Sequence, residues 1–104
     1  MFVWGYRPEI FVYTRMPAAI RFLESQPLTG VYADRHLTQT GALVPELTRW
    51  HRAELARSTP DLVLDGLGLY NPALAITAFP DLAQWLARYE EIGRTKATVL
   101  YRRR

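Results

Sequence analysis

The chain has 104 residues, of which 49% are hydrophobic and 22% are charged, and this composition excludes a disordered or fibrous protein. It contains no cysteine, which excludes a disulfide scaffold and any thiolate site. No stretch approaches the roughly 20 consecutive apolar residues of a membrane-spanning helix, and residues 1–5 lack the basic and apolar regions of a signal peptide. A chain of this length predicts one domain with a modest core.

The net charge of +3 is carried by the last three residues, Arg102, Arg103 and Arg104, because the other ten basic residues are balanced by ten acidic ones. A nucleic-acid-binding domain spreads its basic residues over one face. We therefore predict a solvated, charged C-terminal end and no nucleic-acid partner. Contact of this end with cytoplasmic partners or lipid headgroups is the alternative.

The first part of the chain predicts a strand and then a helix. Residues 2–6 are aromatic and β-branched, which favours a strand, and Pro8 can open a short helix that continues through Tyr13. Residues 18–24 fit a helix and a strand equally well. Residues 26–41 are rich in Gly, Thr, Asp and Gln and predict a long irregular loop.

The middle of the chain predicts a helix, a buried strand and a glycine-rich loop. Residues 42–57 form the helix, in which Leu43, Leu47 and Trp50 recur at i, i+4 and i+7 and define one apolar face. Residues 61–65 are a short apolar run between turn signals, as in a buried strand. Residues 66–72 form the loop that follows it.

The last part predicts one helix and a hairpin. The tripeptide Phe79-Pro80-Asp81 is a strong helix start, and the residues after it share one face at i, i+3, i+4 and i+7: Leu82, Trp85, Leu86 and Tyr89. Residues 89–94 and 97–101 predict two strands joined by a turn at residues 93–96. The whole order predicts an α/β fold, with a small mixed β-sheet, helices packed on it and a C-terminal antiparallel hairpin.

Few residues are candidates for catalysis or metal binding. His36 and His51 are the only histidines, and their separation matches no metal-ligand spacing, so no metal site is predicted. His51 is expected in the middle of a helix, at the surface or half-buried. The tripeptide Asp34-Arg35-His36 could bind an anion or move a proton, although a solvated loop is the favoured interpretation.

The segment Gly66-Leu67-Gly68 follows a predicted strand, as a dinucleotide-binding turn does. That fingerprint needs a third glycine where this chain has Asn71. We therefore interpret the segment as a turn in which Gly66 and Gly68 adopt positive φ, and we predict no cofactor.

Two stretches resemble a known family. The first is VWGYRPEI at residues 3–10, continuing to TRMPAA at residues 14–19. The second is PDLVLDG at residues 60–66, with the tripeptide Tyr70-Asn71-Pro72 and VLYRR at residues 99–103. Together they resemble the C-terminal water-soluble domain of bacterial integral-membrane glycosyltransferases. That class includes the dolichyl-phosphate-mannose–protein mannosyltransferases and the aminoarabinose transferases. The resemblance covers nearly the whole chain, and its motifs are structural rather than catalytic.

The resemblance implies a non-catalytic accessory domain, residues 1–104, detached from a membrane-embedded part. In that family a bundle of membrane helices takes a sugar from a polyprenyl-phosphate carrier, and an acidic residue in an early extracytoplasmic loop does the chemistry. That loop would lie upstream of Met1, so no residue here inherits a catalytic role. The implied partners are the membrane-embedded catalytic domain or a lipid-linked sugar, at the periplasmic face of the inner membrane. The alternative is a freestanding, cytoplasmic Rossmann-like module that binds a ligand or a partner protein.

A ligand would lie at the carboxyl ends of the strands, as in other open α/β sheets. We predict that Trp4, Arg7, Asp65 and Tyr70 line one shared concavity there. The alternative is structural: Asp65 caps the turn that begins at Gly66, and Arg7 neutralises its charge.

Overall fold

The structure is a computed structural model and describes residues 1–5, 9–22, 26–30 and 45–104. In chain order its elements are β1 (Phe2–Trp4), α1 (Glu9–Thr14), α2 (Gln26–Thr29), α3 (Pro45–Arg57), β2 (Leu62–Asp65), three one-turn 3₁₀ helices (Pro72–Leu74, Ile76–Ala78 and Pro80–Leu82), α4 (Ala83–Leu86), β3 (Tyr89–Arg94) and β4 (Val99–Arg103). Among these helices, none has the length and apolarity needed to cross a membrane.

The four strands form one mixed sheet in the order β1-β2-β4-β3. β1 and β2 are parallel, with Trp4 opposite Asp65, whereas β4 is antiparallel to both β2 and β3. The chain passes from β1 to β2 through helical segments, which is the long connection that parallel neighbours require. The predicted α/β fold, the mixed sheet and the C-terminal antiparallel hairpin are therefore confirmed.

One face of the sheet carries the core. Phe2 and Trp4 of β1 lie on the same face as Val63 of β2 and are fully buried with it. Each of the helices from α2 to α4 adds one buried side chain to this cluster: Leu28, Leu55, Leu74, Ile76, Leu82 and Trp85. These helices therefore pack against the sheet as one layer, and each contributes one side chain to the shared core.

The indole and phenol groups of the aromatic core residues donate hydrogen bonds to backbone carbonyls. The Trp4 indole Nε1 donates to the Leu74 carbonyl at 2.8 Å. The Trp85 indole donates to the Ser58 carbonyl at 2.9 Å, and the Tyr89 hydroxyl donates to the Pro60 carbonyl at 2.8 Å. These bonds tie the large aromatic side chains to one geometry, because each would otherwise leave a polar atom unsatisfied in the core.

The apolar face predicted for α3 is wrong. Leu47 is 44% exposed and Trp50 is 69% exposed, whereas Thr48 and Leu55 are the buried residues of α3. Contacts to α2 decide this orientation: His51 Nδ1 lies 3.0 Å from the Pro27 carbonyl, and Arg52 donates to the Leu28 carbonyl at 2.8 Å. His51 is half-buried, as expected. Residues 42–44, where the helix was predicted to start, lie outside the described residues.

The helix predicted from Pro80 is shorter than its periodicity indicates. It divides into a 3₁₀ turn, Pro80–Leu82, and one α-helical turn, Ala83–Leu86. Tyr89 belongs instead to β3, where its hydroxyl is held by the Pro60 carbonyl. The sheet therefore overrides the helical pattern at Tyr89, since pairing with β4 satisfies the backbone there.

The loop predictions before α3 also need correction. Residues 18–22 form neither a helix nor a strand, and Ala19 N instead donates to the Met1 carbonyl at 2.9 Å, beside β1. Residues 26–29 form α2, where a loop was predicted, because burying Leu28 against α3 stabilises the turn. The described residues do not include residues 23–25 or residues 31–44. The tripeptide Asp34-Arg35-His36 lies within the second of these ranges.

The C-terminal arginines are exposed to solvent, as predicted, but two of the three belong to the sheet rather than to a free tail. Arg102 and Arg103 lie in β4, where Arg102 pairs with Glu90 at 3.1 Å and Arg103 with Asp61 at 2.7 Å. Arg104 donates to the Tyr89 carbonyl at 3.3 Å. The hairpin turn also lies later than predicted: Gly93 is within β3, and Thr95 N donates to the Thr98 carbonyl at 2.8 Å.

We expect Trp4→Phe to destabilise the domain by about 2–4 kcal/mol, because it removes the indole donor, leaves the Leu74 carbonyl unsatisfied and opens a small cavity. Thermal unfolding followed by circular dichroism measures this as a fall in Tm of roughly 4–8 °C per kcal/mol. The matched control is Trp50→Phe on the exposed surface, which should change stability by less than about 0.5 kcal/mol. Equal effects of the two substitutions would contradict this account of the core.

Candidate functional site

The candidate site is a depression of about 420 Å³ at the carboxyl end of β2. Asp65 ends that strand, and the turn that follows it forms one wall. Glu91 and Arg94 of β3 and Tyr101 of β4 form the opposite wall. The depression therefore lies at the end of the parallel strands where ligands approach open α/β sheets.

Asp65 is 2% exposed, and both of its carboxylate oxygens accept backbone hydrogen bonds. Oδ1 accepts from Leu67 N at 2.9 Å and from Gly68 N at 2.8 Å. Oδ2 accepts from Ile76 N at 2.9 Å. One carboxylate thus fixes the turn after β2 and also binds the second 3₁₀ helix, Ile76–Ala78, to the sheet. The capping role of Asp65 is shown by these bonds, whereas its proposed neutralising partner, Arg7, lies outside the described residues.

The same bonds decide what the glycine-containing turn can bind. In a phosphate-binding turn, free backbone N–H groups point at the ligand. Here the N–H groups of Leu67 and Gly68 already donate to the Asp65 carboxylate, which takes the place that a phosphate would need. A dinucleotide would have to displace a buried negative charge that belongs to the chain itself.

The positive φ predicted at Gly66 and Gly68 is wrong, because Gly5 and Gly30 are the glycines of the described chain that adopt it. Gly68 is required for a different reason. A Cβ there would lie 2.6 Å from the Ala75 Cβ and 2.8 Å from the Asp65 Oδ2. The turn and the 3₁₀ segment therefore approach each other too closely for any side chain at this position.

The outer wall carries a bidentate ion pair. Arg94 Nε donates to Glu91 Oε1 at 2.8 Å, and its NH2 group donates to Glu91 Oε2 at 3.0 Å. These hydrogen bonds lower the pKa of Glu91 and raise the pKa of Arg94. Both side chains stay charged at neutral pH, and the outer guanidinium and carboxylate positions face solvent.

A β-bulge explains how Glu91 and Arg94 meet. In a regular strand, residues three apart point to opposite faces. Here the register shifts between Glu91 and Gly93, so that Glu91 lies opposite Tyr101 and Arg94 lies opposite Val99. The extra residue, Ile92, therefore returns Arg94 to the face that carries Glu91 and Tyr101.

Tyr101 is a half-buried aromatic side chain of the same wall. Burial raises the pKa of Tyr101 above the ordinary tyrosine value of 10.0, and the negative charges of Asp65 and then Glu91 add to this effect. The positive charge of Arg94 opposes it but is outweighed. Burial and the two neighbouring carboxylates therefore both favour the neutral phenol of Tyr101.

Sequence reasoning did not single out Glu91, Arg94 or Tyr101. Gly93 is the signal that could have indicated the bulge that brings Glu91 and Arg94 to one face, because a glycine within a strand often marks one. Of the residues that were predicted, Asp65 lines the depression, but Trp4 and Tyr70 do not. Trp4 is fully buried in the core, and Tyr70 is 63% exposed on the outer side of the turn. Arg7 lies outside the described residues.

The depression combines charged, polar and aromatic side chains. Its charged groups are held in hydrogen bonds, and its wall offers a phenol, a carboxylate and a guanidinium to a small ligand. Within the described ranges, no group of three His, Asp or Glu side chains is placed to hold a metal ion.

We expect Asp65→Asn to lower stability by about 2–3 kcal/mol, because an amide offers one acceptor oxygen to three N–H groups and turns its own donors toward one of them. Differential scanning calorimetry should show a fall in Tm of several degrees. The matched control is Asp61→Asn, an exposed partner of Arg103, with an expected change below about 1 kcal/mol. An unchanged Tm for Asp65→Asn would return Asp65 to the ligand-binding role.

We expect Tyr101 to ionise above pH 10.0, since its pKa is raised in the folded state. The neutral phenol therefore stabilises the fold fully below this pH, and the contribution is lost as pH rises through the raised pKa. Ultraviolet absorbance titration of the phenolate, taken as the difference between the native chain and Tyr101→Phe, isolates this group among the six tyrosines. Glu91→Gln should lower the pKa of Tyr101, because it removes a negative charge. An unchanged pKa of Tyr101 in this variant would show that the Glu91 charge does not contribute to the shift.

Comparison with known proteins adds no relative to these observations. The chain matches no protein-family model, no curated protein and no solved structure. The function of the site must therefore be argued from its own geometry.

Proposed function

We propose that this chain is a non-catalytic accessory domain of a polyprenyl-phosphate-sugar-dependent membrane glycosyltransferase. On this proposal, it needs no cofactor and lies at the periplasmic face of the inner membrane. Its partner is the membrane-embedded catalytic domain or a lipid-linked sugar.

The proposal is supported by the structural role of the residues in the motifs that resemble the glycosyltransferase domain. Asp65 accepts three backbone hydrogen bonds, and the Trp4 indole donates to the Leu74 carbonyl. Asn71 caps the first 3₁₀ helix by accepting a bond from Ala73 N at 3.2 Å. These motif residues hold the scaffold together, which supports an accessory domain whose chemistry is supplied by another part of the enzyme.

The depression gives such a domain a surface for contact. Its phenol, carboxylate and guanidinium can form hydrogen bonds to a polar group without carrying out a reaction on it. This supports recognition of a partner or a donor, with the chemistry supplied elsewhere.

The proposal predicts that the purified chain folds but transfers no sugar from a polyprenyl-phosphate donor to any acceptor. Transfer is measured by the release of polyprenyl phosphate, with circular dichroism as the control that the chain is folded. Transfer by the folded, isolated chain would overturn the proposal.

The second candidate is a freestanding Rossmann-like module for ligand binding or protein interaction. Exposed apolar side chains on two helices favour its interaction version: Val12, Tyr13, Leu47 and Trp50. Its nucleotide-binding version is disfavoured, because the N–H groups of the turn already donate to the Asp65 carboxylate. Calorimetric titration with common nucleotides tests the nucleotide-binding version. We expect no heat of binding, and saturable heat would favour the second candidate over the first.

A further inference from the structure

The depression at the end of β2 contains two hydroxyl groups that the chain itself does not use. Tyr101 belongs to the wall formed by the sheet, and Thr77 belongs to the wall formed by the second 3₁₀ helix, Ile76–Ala78. Within the described part of the chain, neither hydroxyl forms a hydrogen bond. Burial raises the pKa of Tyr101, which keeps its phenol protonated at neutral pH. Both hydroxyls can therefore donate and accept, and a ligand that engages them needs donors and acceptors of its own.

The Glu91–Arg94 ion pair offers further donors and acceptors side by side. Arg94 holds Glu91 through Nε and NH2, which leaves the N–H groups of NH1 and one N–H of NH2 for other partners. Each carboxylate oxygen of Glu91 likewise keeps a lone pair. The two side chains are 40% and 57% exposed, respectively, so these positions are accessible. Two vicinal hydroxyls can bind such a pair together, because one accepts from the guanidinium while the other donates to the carboxylate.

The same ion pair disfavours a charged ligand. An anion would compete with Glu91 for Arg94, and a cation would compete with Arg94 for Glu91, so either would disturb a bidentate arrangement. Asp65 is the remaining charged residue of the lining, and its carboxylate is buried and fully engaged by backbone N–H groups. A neutral ligand leaves all of these bonds intact.

The size and the remaining lining of the depression suit one small saturated ring. Its volume of about 420 Å³ is near the small end of the range for ligand sites. Aliphatic residues and one glycine form the rest of the lining: Gly68, Leu69, Pro72, Ala75 and Val99. These side chains and the Tyr101 ring can pack against the C–H groups of a ring whose hydroxyls reach the polar groups.

We infer that this depression binds a neutral polyhydroxylated ring of the size of one hexose, with vicinal hydroxyls on the Glu91–Arg94 pair and further hydroxyls at Tyr101 and Thr77. The inference rests on the proposed function in one respect, since it assigns the ring to the sugar of a lipid-linked donor or of an acceptor. The two can fail separately. Absence of sugar binding would overturn the inference alone, whereas sugar transfer by the isolated chain would overturn the proposed function alone.

The test follows backbone amide signals of the isotope-labelled chain by NMR during titration with the methyl glycosides of glucose, galactose and mannose. These probes share one ring and differ in the arrangement of their vicinal hydroxyls. We expect at least one of them to give saturable shifts at Thr77, at Tyr101 and along Glu91 to Arg94, with a Kd of about 1–10 mM, as a ligand of this size in an open site allows. No saturable shift with any of the three overturns the inference.

Analogues of the sugar that binds separate hydroxyl recognition from simple packing and from charge. Tetrahydropyran-2-methanol keeps the ring but has no vicinal hydroxyls, and it should bind at least about tenfold more weakly. The amino sugar and the uronate of the same ring carry a positive and a negative charge, and each should bind about threefold more weakly. Equal binding of tetrahydropyran-2-methanol overturns the role of the vicinal hydroxyls. Equal or tighter binding of either charged sugar overturns the preference for a neutral ligand.

Variants test the assigned groups. Tyr101→Phe and Thr77→Val remove one hydroxyl each with little change of shape, and each should weaken binding of the sugar roughly fivefold. Glu91→Gln and Arg94→Gln should both weaken it, because either change removes one partner of the vicinal hydroxyls. The matched control is Tyr13→Phe on α1, which is 81% exposed, does not line the depression and should have no effect. Thermal unfolding of each variant verifies the fold. Unchanged affinity in Tyr101→Phe, or opposite effects of the Glu91 and Arg94 variants, would refute the assignment.

Discussion

The carboxylate of Asp65 is the group on which the arrangement of this small domain depends. It lies buried at the end of β2, where a negative charge is costly unless hydrogen bonds replace its hydration. The backbone supplies those bonds from two places in the chain, the turn at Leu67 and Gly68 and the start of the second 3₁₀ helix at Ile76. One side chain thus satisfies three N–H groups and joins the sheet to the layer that covers it. A domain of about 100 residues has a modest core, so hydrogen bonds such as these are important for holding its elements in one arrangement.

The position of the candidate site follows from this junction. Because Asp65 holds Ile76, the 3₁₀ segment passes close over the end of the sheet, and Gly68 is the residue that permits the approach. The depression at the end of β2 lies beside that segment, with Thr77 in its lining. The same carboxylate occupies the N–H groups that could otherwise hold a phosphate. The geometry of this turn therefore does not favour nucleotide binding.

The hairpin of β3 and β4 supplies the other wall and uses the C-terminal charges in doing so. Pairing of Arg102 with Glu90 and of Arg103 with Asp61 places the surplus arginines along the sheet, where each pair is exposed and contributes modestly. The bulge at Ile92 has the larger consequence, because it turns Glu91 and Arg94 to the same face as Tyr101. The outer wall of the depression is thereby built on two strands of the sheet, opposite the turn that forms the other wall.

The sequence by itself determined the class of fold and most of its strands. Apolar runs bounded by turn residues identify β1 and β2, and the short β-prone segments at the end of the chain identify the hairpin, since these are local patterns that the final structure satisfies. The sequence also pointed to Asp65, whose position before a glycine predicts a capped turn. Tertiary structure alone decided which face of α3 is buried, because contacts with Pro27 and Leu28 outweigh the spacing of Leu47 and Trp50. It also decided between the two patterns that overlap at Tyr89, because pairing with β4 favours the predicted strand over the helical periodicity there. It also created the outer wall of the site. A glycine such as Gly93 can indicate a bulge, but the strand register that turns Glu91 and Arg94 to one face is set by pairing with β4, which is a long-range contact.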